Sequence, residues 1–289
     1  MSAIDDTTLG RARLSFADER DIDEFVDTLG KYERGEISAE DWRKFRLVRG
    51  TYGQRQPEAV HMLRVKIPQG VLTAAQLRSL AGVATSYSRG FAHITTRQNV
   101  QLHFVPLAQV EDAMRALADT GLTTREACGN SVRNITACPY AGVAEGEIFD
   151  VTPYAEAMTR YFLRHPLSAS LPRKFKIAFE GCPEDHAVAA IHDIGWRARV
   201  VNGRRGFRVT VGGGTAILVN TGALLYDFLP VEEMLNVAEA IIRVFHRYGD
   251  RKHMQRNRMK FLIKSLGWDE WRGRFDKALE EVRAEGGAS

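Results

Sequence analysis

Cysteine is scarce. Three residues, Cys128, Cys138 and Cys182, among 289 cannot build an even disulfide framework, and no pair has the Cys-x-x-Cys spacing of a zinc or thioredoxin-like site. Reduced thiols are expected. No apolar run approaches the ~20 residues of a membrane span. Residues 1–20 are polar and mixed in charge, without the apolar core of a signal peptide. A cytoplasmic location without a membrane partner follows as the expectation. An excess of one charge is also missing: 40 Lys and Arg against 36 Asp and Glu leave a formal net charge of +4, a weak bias toward anionic partners. Short-period repeats and low-complexity tracts are absent as well, so the chain reads as globular, with length for one large or two medium domains.

What is present is basic charge in a repeating pattern. Arg64 and Lys66, then Arg97, Asn99, Gln101 and His103, then Lys174 and Lys176 recur at every second residue. On a strand that spacing aims them at one face. Apolar Val65, Val100, Leu102, Phe104, Phe175 and Ile177 fill the other. Half-buried strands alternate in any case, but strings enriched in Arg, Lys, Gln and His rather than Glu, Thr and Ser suggest convergence on a polyanionic ligand.

The pattern of elements is α+β. Residues 1–56 read as a helical extension, with helices near 21–33 and after Ser38-Ala-Glu-Asp41, a capping-box-like start; Pro57 ends it. Residues 57–122 follow as strand 60–67, helix 73–87, strands 91–96 and 100–105, and helix 108–120, a ferredoxin-like half-domain. Residues 123–289 form the remainder. A loop rich in Cys, Asn, Gly and Pro runs over 123–146, where function commonly sits. Then come a helix over 152–164 opened by Pro153, strand 174–179, and strands 196–201 and 206–211 around Asn202-Gly203-Arg-Arg205, a hairpin with a four-residue connection. Helices are expected over 231–248, 252–266 and 268–285.

Several motifs read less sharply. Gly212-Gly213-Gly214 lacks the Lys of a P-loop and the order of a dinucleotide fingerprint; its N–H groups could donate to ligand carboxylates, or it could be a tight turn. The basic run 251–260 could contact nucleic acid, yet Met254, Met259, Phe261, Leu262 and Leu266 favour an amphipathic helix with a solvated basic face, so no nucleic-acid partner is expected. Cys182-Pro-Glu-Asp-His186, with His192 nearby, falls short of a zinc ligand set, and no metal ligands are assigned. Cys128 and Cys138 read as buried thiols bracketing a loop, since no base is placed beside them.

Five strings, Met62-Leu-Arg-Val-Lys-Ile-Pro-Gln-Gly70, Thr96-Arg-Gln-Asn-Val-Gln101, Gly129-Asn-Ser-Val-Arg133-Asn-Ile, Leu171-Pro-Arg-Lys-Phe-Lys176 and Val211-Gly-Gly-Gly214, together resemble the sirohaem-dependent nitrite and sulfite reductases. The likeness runs in order from about residue 57 to residue 271. It implies a ferredoxin-like half-domain followed by a mixed α/β sirohaem-binding lobe, and six-electron reduction of sulfite to sulfide or nitrite to ammonia. By position, Arg64, Arg133, Lys174 and Lys176 resemble the residues that grip the substrate oxyanion. Arg97, Gln98, Gln101, His103, Asn134, Gly212, Gly213 and Gly214 resemble sirohaem contacts.

The resemblance also implies a 4Fe–4S cluster, which needs four thiolates. With three cysteines in the wrong spacing, the cluster ligands are expected outside this chain, on a C-terminal half or a partner subunit, with a ferredoxin-like protein as electron donor. The Thr215-Ala-Ile-Leu-Val-Asn220 loop is more apolar than the family pattern. Two alternatives stand beside this reading: a relative of precorrin-3B synthase acting on a corrinoid precursor, and a non-redox half-protein that binds a tetrapyrrole or RNA.

Overall fold

A computed structural model describes residues 15–56 and 59–288; the expected boundary at Pro57 and the first 14 residues of the extension lie outside the described residues. The chain divides between Gly129 and Asn130 into two units, each with its own core.

The first unit begins with helices α1 (Glu19–Glu33) and α2 (Ala39–Val48). Asp18 and Ser38 cap them by accepting from the backbone N–H groups of Arg20 and Asp41, which satisfies donors that a first turn otherwise leaves open. Four antiparallel strands follow in the spatial order β1-β2-β4-β3: β1 (Thr51–Gly53), β2 (Val60–Val65), β3 (Ala92–Ile94) and β4 (Val100–Pro106). Helix α3 (Ala74–Tyr87), opened by a Thr73/Gln76 capping box, carries the chain from β2 to β3, and α4 (Val110–Ala118) follows β4. Strands β2 and β3 flank β4, so β2-α3-β3 is a split βαβ unit of ferredoxin-like type.

The expected extension is built into this unit. Phe25 and Trp42 join the core with Leu63, Val65, Leu102 and Leu117, and β1 pairs with β2. Residues beyond 122 belong here too, because Lys66 N–H donates to Thr123 O at 2.8 Å.

His61, buried on β2, gives this unit an acid sensitivity. Burial, then the nearby Arg46 charge, push its imidazole down to about 4. An unfolded chain protonates the ring near 6.5, so acid favours unfolding. The stabilisation is complete above 6.5 and is lost as pH falls from 6.5 toward 4, by about 2 kcal/mol. Urea unfolding at pH 7 and pH 4.5 should show that loss, and His61→Gln should remove most of the difference. An unchanged difference in the variant would assign the acid sensitivity elsewhere.

The second unit holds a five-stranded sheet in sequence order: β5 (Thr136–Ala137), β6 (Ile177–Glu180), β7 (Ile194–Val201), β8 (Arg204–Val211) and β9 (Ala223–Pro230). The first three are parallel and the last three antiparallel. Helix α5 (Thr152–Phe162), with Pro153 in its first turn, lies between β5 and β6; α6 (Met234–Tyr248), α7 (Met259–Leu266) and α8 (Trp268–Ala284) complete the unit. Phe179, Trp196 and Phe207 interlock at the centre, the first two stacked at 5.8 Å.

Three expectations change here. The β7–β8 connection has two residues rather than four, since Val201 pairs with Arg204; Asn202 and Gly203 both take positive φ, as the tight hairpin turn with right-handed twist requires. The strand expected over 174–179 begins at Ile177. The helix expected over 252–266 begins only at Met259, because the Asp250 carboxylate accepts from the N–H groups of Lys252 and His253 and holds a turn there. Met254 is exposed on that segment and takes no part in an amphipathic face.

Candidate functional site

In the first unit, register builds a polar face across three strands. Gln101 on β4 is paired with Arg64 on β2 at one side and with His93 on β3 at the other. With its oxygen turned toward Arg64, the Gln101 amide accepts from Nε at 3.1 Å and Nη2 at 2.5 Å. His103, two residues on, shares the face. Its ring stacks on Phe91 and sits 6.1 Å from His93. Burial, then His93 and Arg64, lower its pKa, so the neutral ring offers one donor and one acceptor.

The alternating string is not continuous, however. Arg97 and Gln98 lie in the β3–β4 turn, where Thr95 accepts from both backbone N–H groups. Gln98 takes φ +55° and packs on Gly70. Asn99 is buried and its Oδ1 accepts from Ile67 N–H. Lys66 is also buried, 3.9 Å from the Glu126 carboxylate, so it belongs to the interior rather than to the polar face.

In the second unit, Val132 and Phe175 form a parallel bridge, reinforced by the Arg133 N–H donating to Phe175 O at 2.9 Å. Val132 and Phe175 are buried, and the adjoining Arg133, Lys174 and Lys176 are half-buried. Alternation about that bridge carries the three cations away from the buried pair. Beside them, fully buried Asp193 accepts from the Lys176 N–H at 2.7 Å and from Arg258 through both oxygens, at 3.2 and 2.7 Å.

A groove of about 230 Å³ is lined by Arg173, Lys174, Lys176, Arg258 and Lys260 together with polar and apolar neighbours, and by no carboxylate. Lys260, expected on a solvated face, is only 4% exposed. Its ammonium donates to the carbonyls of Thr215, Ala216 and Leu218, and burial lowers its pKa. It pins the loop that reads as unusually apolar in the sequence.

Gly212, Gly213 and Gly214 precede Thr215 of the groove lining, and their amides are committed to the protein. Their N–H groups donate to the carbonyls of Asp193, His192 and Asn220. The expectation of amides open to ligand carboxylates is therefore corrected: these glycines allow close packing. A Cβ on Gly213 would lie 2.3 Å from Ala190 O. Asn134 is fully buried just before β5.

The thiols are no better placed for nucleophilic chemistry. Cys128, Cys138 and Cys182 are free and buried. Burial and the adjacent Glu180 push Cys138 up to about 12, so it stays a thiol at neutral pH.

Sequence reasoning missed Asp193 and misread Arg258 and Lys260. The carboxylate stands alone in the sequence, and nothing in its neighbours signals a partner 65 residues away. Among the described residues no helix is long and apolar enough to cross a membrane.

Comparisons with known proteins bear on the same two units. Residues 52–120 match the family described as the nitrite/sulfite reductase ferredoxin-like half domain, and residues 128–282 match the nitrite and sulphite reductase 4Fe-4S domain. The chain is 33% identical over 236 residues to a ferredoxin–nitrite reductase of Leptolyngbya laminosa, covering 80% of this chain and 46% of the relative. It is 35% identical over 215 residues to a ferredoxin sulfite reductase of Mycobacterium tuberculosis, covering 73% and 38%. The solved structure of Mycobacterium tuberculosis NirA superposes with a TM-score of 0.78 at 29% identity, covering 92% of this chain and 53% of that one. Dissimilatory sulfite reductase I, at 15% identity and a TM-score of 0.62, shares the fold. This chain spans less than half the length of the curated relatives it matches. With one matched domain in each unit, the chain belongs to the nitrite and sulphite reductase family.

Proposed function

We propose that this chain supplies the oxyanion- and sirohaem-binding residues of an enzyme that reduces sulfite to sulfide or nitrite to ammonia. The observation that carries the proposal is the groove presenting Arg173, Lys174 and Lys176 with no carboxylate in its lining, Arg258 being paired with Asp193 behind it and Lys260 with loop carbonyls. A surface of that kind suits a small oxyanion or cofactor carboxylates, whose burial otherwise costs several kcal/mol.

The family is sirohaem- and 4Fe–4S-dependent. Sirohaem fits the residues present in that Arg97, Gln98, Gln101 and His103 carry donor groups of the kind its carboxylates need, whereas Asn134 is fully buried and the three glycines spend their N–H groups on the protein, so these four do not donate to it. Bound sirohaem would supply an iron for the oxyanion and a path for electrons. A cluster held by four cysteine thiolates does not fit: three cysteines are one too few. Its thiolates would come from a further segment or a partner subunit, and a ferredoxin-like protein would deliver the electrons.

Within this reading Arg64, Arg133, Lys174 and Lys176 hold the substrate. Each donates hydrogen bonds to oxygens whose charge grows as N–O or S–O bonds weaken. The lysine ammonium groups also carry protons, and reduction consumes protons as each oxygen leaves as water. Asp193 acts through Arg258 and the Lys176 backbone, as a positioning residue.

The test is co-expression with the cluster-bearing segment, followed by dithionite- or ferredoxin-driven turnover of sulfite and nitrite. We expect sirohaem absorption, and a fall in kcat of about 100-fold for Lys174→Ala or Arg133→Ala with the absorption retained. Unchanged turnover would remove those two residues from the role, and a colourless complex would sink the proposal.

A further inference from the structure

We propose that Cys138, Cys182, His186 and Glu180 bind a single divalent metal ion of borderline softness, with zinc the species their donor set selects. Only the Cys182–His186 spacing is visible in the sequence; Cys138 and Glu180 arrive through the fold. Ala137 and Phe179 are the last pair between β5 and β6, and Cys138 N–H donates to Phe179 O at 2.9 Å. Cys138 and Glu180, the residues that follow, are thereby neighbours.

The Glu180 carboxylate then winds the next loop back on itself, accepting from Cys182 N–H at 2.8 Å and Ala187 N–H at 2.7 Å. Asp185 does the same for Ala189 and Ala190. His186 is thus returned to the strand ends, its ring edge-on to Tyr140. Four ligand atoms, one from each side chain, lie within 4.8 Å of one another.

Two of these separations match tetrahedral coordination. The sulfurs are 3.9 Å apart and Cys138 Sγ is 3.7 Å from His186 Nδ1. Around a zinc ion, bonds of about 2.3 Å to sulfur and about 2.0 Å to nitrogen put such pairs roughly 3.8 and 3.6 Å apart. A disulfide would need the sulfurs at about 2.05 Å.

Charge points the same way. Glu180 is fully buried, and its two oxygens accept from the neutral backbone N–H groups of Cys182 and Ala187 rather than from a cation. A cation is what that carboxylate lacks. Two thiols, an imidazole and a carboxylate select zinc over magnesium or calcium, which take oxygen. Binding would release one proton from each thiol and leave the imidazole neutral. His186 is exposed while the other three are buried, which leaves one open side for the ion. His192 is not part of the group, since its Nδ1 is bonded to Val188 O. The ion would tie the ends of β5 and β6 to the loop that follows, so this inference does not depend on the reductase proposal.

The experiment loads the chelator-treated, reduced 289-residue chain with cobalt(II) and then zinc(II). We expect one cobalt per chain with the visible bands of tetrahedral, thiolate-ligated cobalt, displaced by one equivalent of zinc. Cys182→Ser should weaken binding by at least about 100-fold. His186→Ala, at an exposed position that leaves the core intact, should do the same with an unchanged circular dichroism spectrum. An octahedral cobalt spectrum, bands that survive in both variants, a Cys138–Cys182 disulfide in the purified chain, or iron and sulfide in place of a single metal would each overturn the proposal.

Discussion

Asp193→Ala is expected to destabilise the second unit by about 3–5 kcal/mol, the range for removing one partner of a buried ion pair. Asp193 is fully buried, and the Arg258 side chain is only 12% exposed. Removing the carboxylate strands the guanidinium and the Lys176 N–H without their acceptor. The intact pair is not claimed to stabilise by that amount, because desolvation offsets much of its attraction. The double variant Asp193→Ala/Arg258→Met should therefore recover part of the loss. Urea unfolding followed by tryptophan fluorescence reports mainly on this unit, which holds Trp196, Trp268 and Trp271 of the four tryptophans. A loss below about 1 kcal/mol, or a double variant worse than the single one, would show that the pair does not organise the groove.

Gly213→Ala is expected to cost at least about 3 kcal/mol, the upper end of ordinary overpacking. The added methyl would meet Ala190 O at 2.3 Å, His192 O at 2.7 Å and His192 N at 2.9 Å. All three are backbone atoms, and none can turn aside as a side chain would. The segment they belong to is held by further bonds, with Gly222 N–H donating to Ala190 O and Gly213 N–H to His192 O. Gly195 is pressed against the same segment, where a Cβ would approach Ala189 O at 2.5 Å. Gly273→Ala is the control. It lies inside α8 with nothing within 4 Å of a new Cβ, and the same methyl there should stabilise by about 0.5–1 kcal/mol. Equal effects at the two sites would rule out close backbone approach as the reason for glycine at 213.

Helices were the most legible elements, because their signals are local. Ser38 caps where the sequence places a cap, the helix expected from residue 73 starts one residue later with Thr73 as its cap, and Pro153 opens α5. Strand β9 left no comparable signal. Its pairing to β8 shifts register twice, and its burial does not alternate cleanly, so the period of two that marks a strand is blurred. The hairpin turn was located correctly but drawn too long, since Arg204 pairs as a strand residue despite its exposure.

For the site, the sequence alone determined the inventory: many cations at every second position, three cysteines that exclude a cluster with four cysteine ligands from this chain, and five strings that carry the family likeness. It could not say which cations face a ligand. Lys66 and Lys260 have the same charge as Lys174, yet one sits beside Glu126 and the other spends its donors on loop carbonyls. Whether an ammonium is a binding group or an internal strut depends on partners far along the chain. The same holds for Asp193 with Arg258, and for Cys138 with Cys182, 44 residues apart. Alternation and capping act between near neighbours and can be read from a string of residues. Desolvation and pairing act through space, and only the tertiary structure decided them.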